Sequence, residues 1–292
     1  MTEDNVRTLL EWAKEEGWNP GINDALPFRI ADSQGFFCAV DAEGGTPLAG
    51  ISAVRYGDTY GFIGLYICAK EFRGRGHGSA VFRHAMRYLE GRVIGLDAVA
   101  ERQAAYAKQG FVLAHQTVRF GGEMTVVDDV PTNCSPSSSG EGDVVQAFPL
   151  EEYADLIVAY DEAHFPACRQ KFTRAWLTTP DHIVRVAIEG GMIKGYGVLR
   201  PCMEGAKLGP LFASSVEIAE LLVRALAAAS MASSGSPTVK VFLDVPEPNK
   251  EGIGLADRLG LIKMWHTGRM YRGAAPILPL DRIFGVTSLE LG

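Results

Sequence analysis

Residues Gly61 to Leu89 read GFIGLYICAKEFRGRGHGSAVFRHAMRYL. The stretch opens with Phe62, Ile63, Leu65, Tyr66 and Ile67, a short run of bulky apolar side chains suited to a buried strand. It closes with Val81, Met86 and Leu89, flanked by Ala80 and Ala85, at the spacing of one helical face. Between them lies Arg73-Gly74-Arg75-Gly76-His77-Gly78-Ser79. Alternating glycines leave the backbone bare, so a bulky anion can reach its N–H groups. The helix that follows points its unsatisfied N–H groups and its positive end at the same place. The order strand, glycine loop, helix predicts a cradle for phosphate.

Three kinds of phosphate-binding loop share glycines in such a place. Gly74-x-Gly76-x-x-Ser79 roughly fits a dinucleotide-binding turn, and Asp97, nineteen residues after Gly78, would be its ribose acid. Against it, the polar segment Ala69-Lys70-Glu71-Phe72-Arg73 separates strand from glycine, and the upstream elements read as hairpins. A Walker loop fails because no Gly-Lys-Ser/Thr is present. The sharper match is Arg73-x-x-Gly76-x-Gly78, which resembles the pyrophosphate loop of the GNAT superfamily of acyl-CoA N-acyltransferases. Tyr106-Ala107-Lys108-Gln109-Gly110-Phe111 is similar to the tyrosine-x-x-x-glycine-aromatic end of that family's fourth helix. The two motifs stand in family order, separated by a strand from Val93 to Asp97. The sequence departs from the pattern at Val99, where many relatives carry asparagine, and at Lys70, near the place of a family proline. The resemblance covers roughly residues 1 to 128.

The resemblance implies an α/β fold of the α+β GNAT type and acetyl-CoA as co-substrate. It implies that the pyrophosphate sits on Arg73, Gly74, Arg75, Gly76, His77, Gly78 and Ser79. A backbone N–H near Ile67 or Cys68 would polarise the thioester carbonyl, and Tyr106 would protonate the leaving thiolate. A tyrosine near its reference pKa of ~10 keeps its proton at neutral pH, as a donor must. Trp18, in the segment that often borders the acceptor pocket of such proteins, is a candidate substrate contact or the closure of a core edge. Asp97 and Glu101 are candidates on the amine side, with a water chain as the alternative base. No metal is implied, because the six histidines show no ligand spacing.

A chain of 292 residues exceeds one ordinary core and suits two domains of about 100–150 residues. A hydrophobic content of 47% against 22% charged residues describes a globular chain. The formal net charge of −7 argues against nucleic-acid binding, which needs a basic footprint. The five cysteines are scattered and unpaired in sequence, which suits free thiols in a reducing cytoplasm. No run of eighteen apolar residues occurs and the first residues are acidic, so neither a membrane span nor a signal peptide is expected.

Thr2 is placed to cap a helix with the apolar stripe Val6, Leu9, Leu10 and Ala13, ended by Gly17. Residues 36–41, 48–56 and 60–68 read as a three-strand meander with Gly44-Gly45 and Gly57-Asp58 turns. Residues 129–142 form a Ser/Pro/Gly linker between a domain at 1–128 and a second at 143–292. The second half repeats the first in outline: an opening helix, a hairpin around Gly190-Gly191, a strand at 208–213, a helix at 216–229 and a strand at 239–244. Leu243-Asp244 echoes Leu96-Asp97, Leu255 to Leu261 echoes the Tyr106-to-Phe111 segment, and Met270-Tyr271-Arg272-Gly273 echoes Arg119-Phe120-Gly121-Gly122. Two tandem domains are therefore expected, each a mixed, mostly antiparallel sheet flanked by helices. The copy is chemically empty: Ser214-Ser215 stands where the glycine loop would be, and Ala256 stands at the tyrosine position. Three roles are open to this degenerate half: shaping the acceptor site, homodimerisation, or scaffold.

Two functions remain open on the sequence. One is direct transfer of an acetyl group from acetyl-CoA to the amine of a small-molecule or peptide acceptor. The other is a non-catalytic CoA-binding or sensor module.

Overall fold

The structure, a computed structural model, describes residues 1–43, 45–125, 144–146 and 150–292. The expected linker at 129–142, both adjoining domain boundaries and Cys134 lie outside the described residues, as does Gly44 of the first hairpin turn. In the first half the order is α1 (Glu3–Glu15), α2 (Ala25–Ala31), β1 (Phe36–Val40), β2 (Pro47–Tyr56), β3 (Tyr60–Cys68), α3 (His77–Tyr88), β4 (Val93–Val99), α4 (Ala100–Ala107) and β5 (Val112–Met124). Local chemistry explains the start. The Thr2 side chain accepts from the Asn5 N–H while Asn5 reaches back to the Thr2 N–H, and Glu3 and Asp4 sit at the positive helix end. Val6, Leu9, Leu10 and Ala13 are buried, as their stripe predicts.

The second half follows with β6 (Val144–Gln146), α5 (Leu150–Glu162), α6 (Gln170–Thr178), β7 (Ile183–Glu189), β8 (Met192–Pro201), β9 (Ala206–Ala213), α7 (Val216–Ser234), β10 (Val239–Pro246), α8 (Lys250–Arg258), β11 (Ile262–Arg272) and β12 (Ile283–Gly285). Helix α7 runs past the expected residue 229 to Ser234, because its stop signal is Gly235 in the left-handed conformation. Helix α6 and strands β6 and β12 are additions to the elements read from sequence.

The two half-sheets join into one twelve-stranded sheet in the order β1-β2-β3-β4-β11-β5-β10-β9-β8-β7-β6, with β12 beside β9. Each half contributes an antiparallel meander that ends in a parallel pair, β3/β4 and β9/β10. The last long strands are exchanged. Strand β11 of the second half pairs with β4 of the first, and β5 of the first pairs with β10 of the second. Strands β5 and β11 then pair with each other, with Thr117 opposite Thr267. Arg269 faces Asp97 across one exchanged pair and Arg119 faces Asp244 across the other. Arg119 therefore corresponds to Arg269, one residue away from the echo with Met270 read in the sequence. The offset of 150 residues that relates Gly110 to Gly260 holds through both strands.

One apolar core spans both halves on one face of the sheet. There Val6 and Leu9 of α1 and Phe28 of α2 join Ile157 of α5 and Trp176 of α6. Phe28 stacks on Trp176 with ring centroids 6.1 Å apart. On the other face α3 buries Val81, Phe82 and Ala85, and α7 buries Leu222, Val223 and Leu226.

Candidate active site

The parallel pairing of β3 with β4 runs from Tyr60↔Val93 to Ile63↔Leu96 and stops. Beyond it the strands splay. On its other edge β3 bulges against β2, since Gly50 faces Ile67 while Ser52 faces Gly64. Leu65 sits in this bulge at φ 44, a conformation that costs a non-glycine residue about 1–3 kcal/mol. Residues Gly64, Leu65, Tyr66, Ile67 and Cys68 line the cleft that the splay opens, about 1400 Å³ in volume.

The glycine loop closes one end of this cleft. Gly74 and Gly76 have φ +78 and +87, the left-handed region that glycine enters freely. Gly76 is also the N-cap of α3, and it offers no capping side chain. The helical ladder begins with the Ala80 N–H donating to the Gly76 carbonyl, so the N–H groups of the preceding turn have no helical acceptor. Gly78 is closely packed instead, so that a side chain there would press on Tyr66. A Cβ there would lie 3.0 Å from the Tyr66 Oη. Arg73 is braced, its Nε donating to the Cys68 carbonyl at 3.0 Å and its Nη2 pairing with Glu16 at the end of α1. Gly74, Gly76, His77, Gly78 and Ser79 line the cleft with Arg73. Arg75 is not among the lining residues; it is exposed, with its guanidinium 5.6 Å from the Phe72 ring.

Tyr106, in the last turn of α4, lines the same cleft. Its ring packs between Phe82 and Phe111, each 5.9 Å away between centroids. Gly110 at φ +85 turns the chain there, so that the Phe111 N–H donates to the Tyr106 carbonyl. Burial raises the hydroxyl's pKa, Tyr66 raises it further and Arg102 opposes. The hydroxyl therefore keeps its proton throughout the neutral range. It has no hydrogen-bond partner among the described residues.

The three amine-side candidates, Trp18, Asp97 and Glu101, all line the cleft, and they differ in what else they bind. Trp18 lines the cleft, and its carbonyl accepts from Arg119 Nη1 at 3.0 Å and Lys207 Nζ at 3.1 Å. Glu101 is exposed in the first turn of α4, at the cleft wall. Asp97 lines the cleft as well, but its carboxylate is already paired. Its side chain is fully buried and takes two hydrogen bonds from Arg269, at 3.0 and 2.7 Å. The strand exchange puts that arginine there, and nothing local to Asp97 announces it. Cys68 donates its thiol to the Leu48 carbonyl at 3.4 Å, within the strand layer.

The cleft also has a wall that sequence reasoning missed. Met264, Trp265, His266 and Thr267 of β11 line it, with Arg119 of β5 and Glu290 beyond β12. Arg119 lies 4.5 Å over the Trp265 ring and forms a buried ion pair with Asp244. Arg83 and Arg102 add positive charge to the lining.

The equivalent place in the second half is filled. Pairing of β9 with β10 stops at Leu208↔Leu243, and β12 then pairs with β9 while the Val286 N–H donates to the Asp244 carbonyl. A Cβ at Gly209 would meet the Val286 and Thr287 carbonyl oxygens at 2.6 Å. The Ser215 hydroxyl caps α7 by accepting from the Ile218 N–H, and Ala256 is buried at the tyrosine position. Among the described residues no group of three or more His, Cys, Asp or Glu is arranged to hold a metal ion, and no helix is long and apolar enough to cross a membrane.

Known proteins resemble the chain over this whole architecture. A family model described as the acetyltransferase (GNAT) family matches residues 4–111, and one described as an acetyltransferase (GNAT) domain matches residues 157–285. Holothin acyltransferase of Pseudoalteromonas sp. (strain SANK 73390) is 30% identical over 283 residues, covering 97% of this chain and 90% of that protein. A Pyrococcus horikoshii protein solved as a candidate acetyltransferase aligns over 100% of this chain and 94% of its own, with TM-score 0.72 and 21% identity. A tandem GNAT protein from the clavulanic acid biosynthesis pathway aligns over 95% and 98%, with TM-score 0.59 and 14% identity. At these identities the two structures speak for the fold.

Proposed function

The chain belongs to the GNAT family of acyltransferases, and on that premise we propose that it carries an acetyl group from acetyl-CoA to the primary amine of a small-molecule or peptide acceptor by direct transfer. One observation carries this reading: an uncapped, glycine-opened helix end and a proton-bearing tyrosine face one cleft, at the place where β3 and β4 part. We take residues 1–128 as the acyl-CoA domain, 129–142 as a linker and 143–292 as a second domain without a site of its own. The free thiols of Cys38, Cys68, Cys168 and Cys202 fit a cytoplasmic setting.

In this reading the backbone N–H groups of Gly74 to Ser79 hold the pyrophosphate, helped by the positive end of α3. Arg73 fixes the loop against α1 rather than acting as a free cation, and Arg75 adds only long-range charge. A backbone N–H at Ile67 or Cys68 polarises the thioester carbonyl; such a donor is worth about 2.7–4 kcal/mol of barrier. Acetyl-CoA supplies the activated acyl group. The acceptor nitrogen, guided by Trp18 and the Glu101 rim, attacks the carbonyl carbon. The C–S bond breaks, Tyr106 gives its proton to the departing sulfur, and the nitrogen loses one proton to a base. Amide and free CoA are the products.

The test is release of free thiol from acetyl-CoA against a panel of amines. The relative's name makes holothin the first acceptor to include. Thiol release that depends on the acceptor is expected. Tight CoA binding with no release from any amine would instead favour the sensor module.

A further inference from the structure

The segment after β12 runs from the filled splay of the second half to the open splay of the first, and it is pinned along the way. The Thr287 hydroxyl accepts from Arg169 Nη2 at 2.8 Å, the Thr287 carbonyl accepts from Arg200 Nη1 at 3.3 Å, and the Leu291 carbonyl accepts from the Tyr56 hydroxyl at 3.0 Å. At Gly64, beside the β3 bulge, the segment approaches so closely that a Cβ would lie 1.9 Å from the Glu290 carbonyl oxygen. Glu290 is 4% exposed and belongs to the cleft lining. Its Oε1 stands 3.7 Å from Lys207 Nζ, and its Oε2 has no hydrogen-bond partner among the described residues. A buried carboxylate can accept about four hydrogen bonds, and an unmet oxygen is costly unless something donates to it.

We propose that Glu290 is the catalytic base on the acceptor side: its unpartnered oxygen accepts a hydrogen bond from the acceptor's ammonium and then takes its proton, leaving the neutral nitrogen to attack the thioester. The inference rests on the acyl-transfer reading above and names the group which that reading leaves open. The ligand class is a compact primary ammonium, entering a chamber walled by Trp18 and the exchanged strand β11. The proton count closes: one proton passes from ammonium to Glu290, the C–N bond forms as the C–S bond breaks, and Tyr106 protonates the thiolate. After attack the nitrogen carries one proton more than the amide keeps, and that surplus proton goes to solvent as the site resets. Lys207 from β9 and Arg119 from β5 face Glu290, with Arg200 of β8 and Asp244 of β10 around them. Strands β2 and β3 meet the segment with Ser52 and the Gly64 backbone. Asp97 and Glu101 are weaker choices, the first bound to Arg269 and the second exposed at the wall.

The experiment compares wild type with Glu290→Gln in the full chain, using acetyl-CoA and an amine turned over in the panel, from mildly acidic to alkaline pH. For Glu290→Gln, kcat/KM for the amine should fall about 10²-fold or more at neutral pH. The deficit should shrink as the pH approaches the amine's own pKa, because solvent then deprotonates it. The acetyl-CoA affinity should not change. An amine kcat/KM equal to wild type, or a deficit of the same size at every pH, overturns the proposal. Should Glu290→Gln melt early, Glu290→Asp keeps the charge opposite Lys207 and withdraws the carboxylate by one methylene. A smaller deficit with the same pH recovery is expected there, and an unaltered profile overturns the proposal. A wild type that releases no thiol with any amine sinks the acyl-transfer reading itself, a result distinct from either.

Discussion

Tyr106→Phe deletes one oxygen and keeps a ring packed between Phe82 and Phe111. Stability and acetyl-CoA affinity should hold, while turnover drops about 10²–10⁴-fold if the hydroxyl is the general acid. Unchanged turnover would leave the thiolate to collect its proton from water or from the amine. A second residue-scale expectation concerns pH. His182 is buried with Nδ1 2.8 Å from the Trp176 carbonyl, and burial, reinforced by Arg200, lowers its pKa to about 3. A proton that binds the unfolded chain near pH ~6.5 is excluded from the folded one. The stabilisation is complete above that pH and is lost as pH falls from there towards 3. Its size is on the order of a few kcal/mol. Denaturant melts from neutral to acid pH should show the loss, and His182→Gln should flatten it. Residues of this scale were the most legible in the sequence. The glycine loop and Tyr106 are set by spacing within one strand-loop-helix unit, so the string of letters carries their geometry. Gly78 was legible as bare backbone, but its close approach to Tyr66 was not, because Tyr66 lies on the preceding strand.

At the scale of elements the exchanged strands decide the outcome. Arg269 and Asp97 form a buried pair across β11 and β4. Removing one partner strands the other's charge, so Arg269→Met should cost about 3–5 kcal/mol in a denaturant titration. Restoring balance with Asp97→Leu should recover most of that cost. A loss under about 1 kcal/mol for Arg269→Met would mean that the site is wet and the pair screened. The exchange itself could not be read from sequence. Strands β5 and β11 have the same pattern whichever half they join, and the choice is made by partners more than a hundred residues away. For the same reason Trp265, His266 and Glu290 stayed hidden as cleft residues. The second half looked empty because it lacks the loop and the tyrosine, yet its last strand forms a wall of the first half's site.

At the scale of the molecule, one sheet and one shared core make the halves interdependent. Residues 1–128 alone would expose the edges of β4 and β5 and half of the α1/α2 core, a setting for aggregation. That fragment should elute as aggregate or unfolded chain, and co-expression with residues 143–292 should rescue it; a soluble 1–128 monomer with a cooperative melt would contradict the exchange. The asymmetry between the halves is equally physical. Both sheets splay after the same parallel pair, but β12 fills the second gap and Ser215 caps the second helix end, whereas Gly76 leaves the first one open. The claim at the centre is that acyl-CoA binds this chain once, on the Gly74–Ser79 loop. Calorimetric titration of the full chain with acetyl-CoA tests it most directly, run beside Gly76→Val, whose Cβ would force strain at φ +87 and intrude on the anion. One site per chain, lost in Gly76→Val while the variant still folds and melts cooperatively at a somewhat lower temperature, is the result expected; two sites per chain, or wild-type affinity in the valine variant, would contradict it.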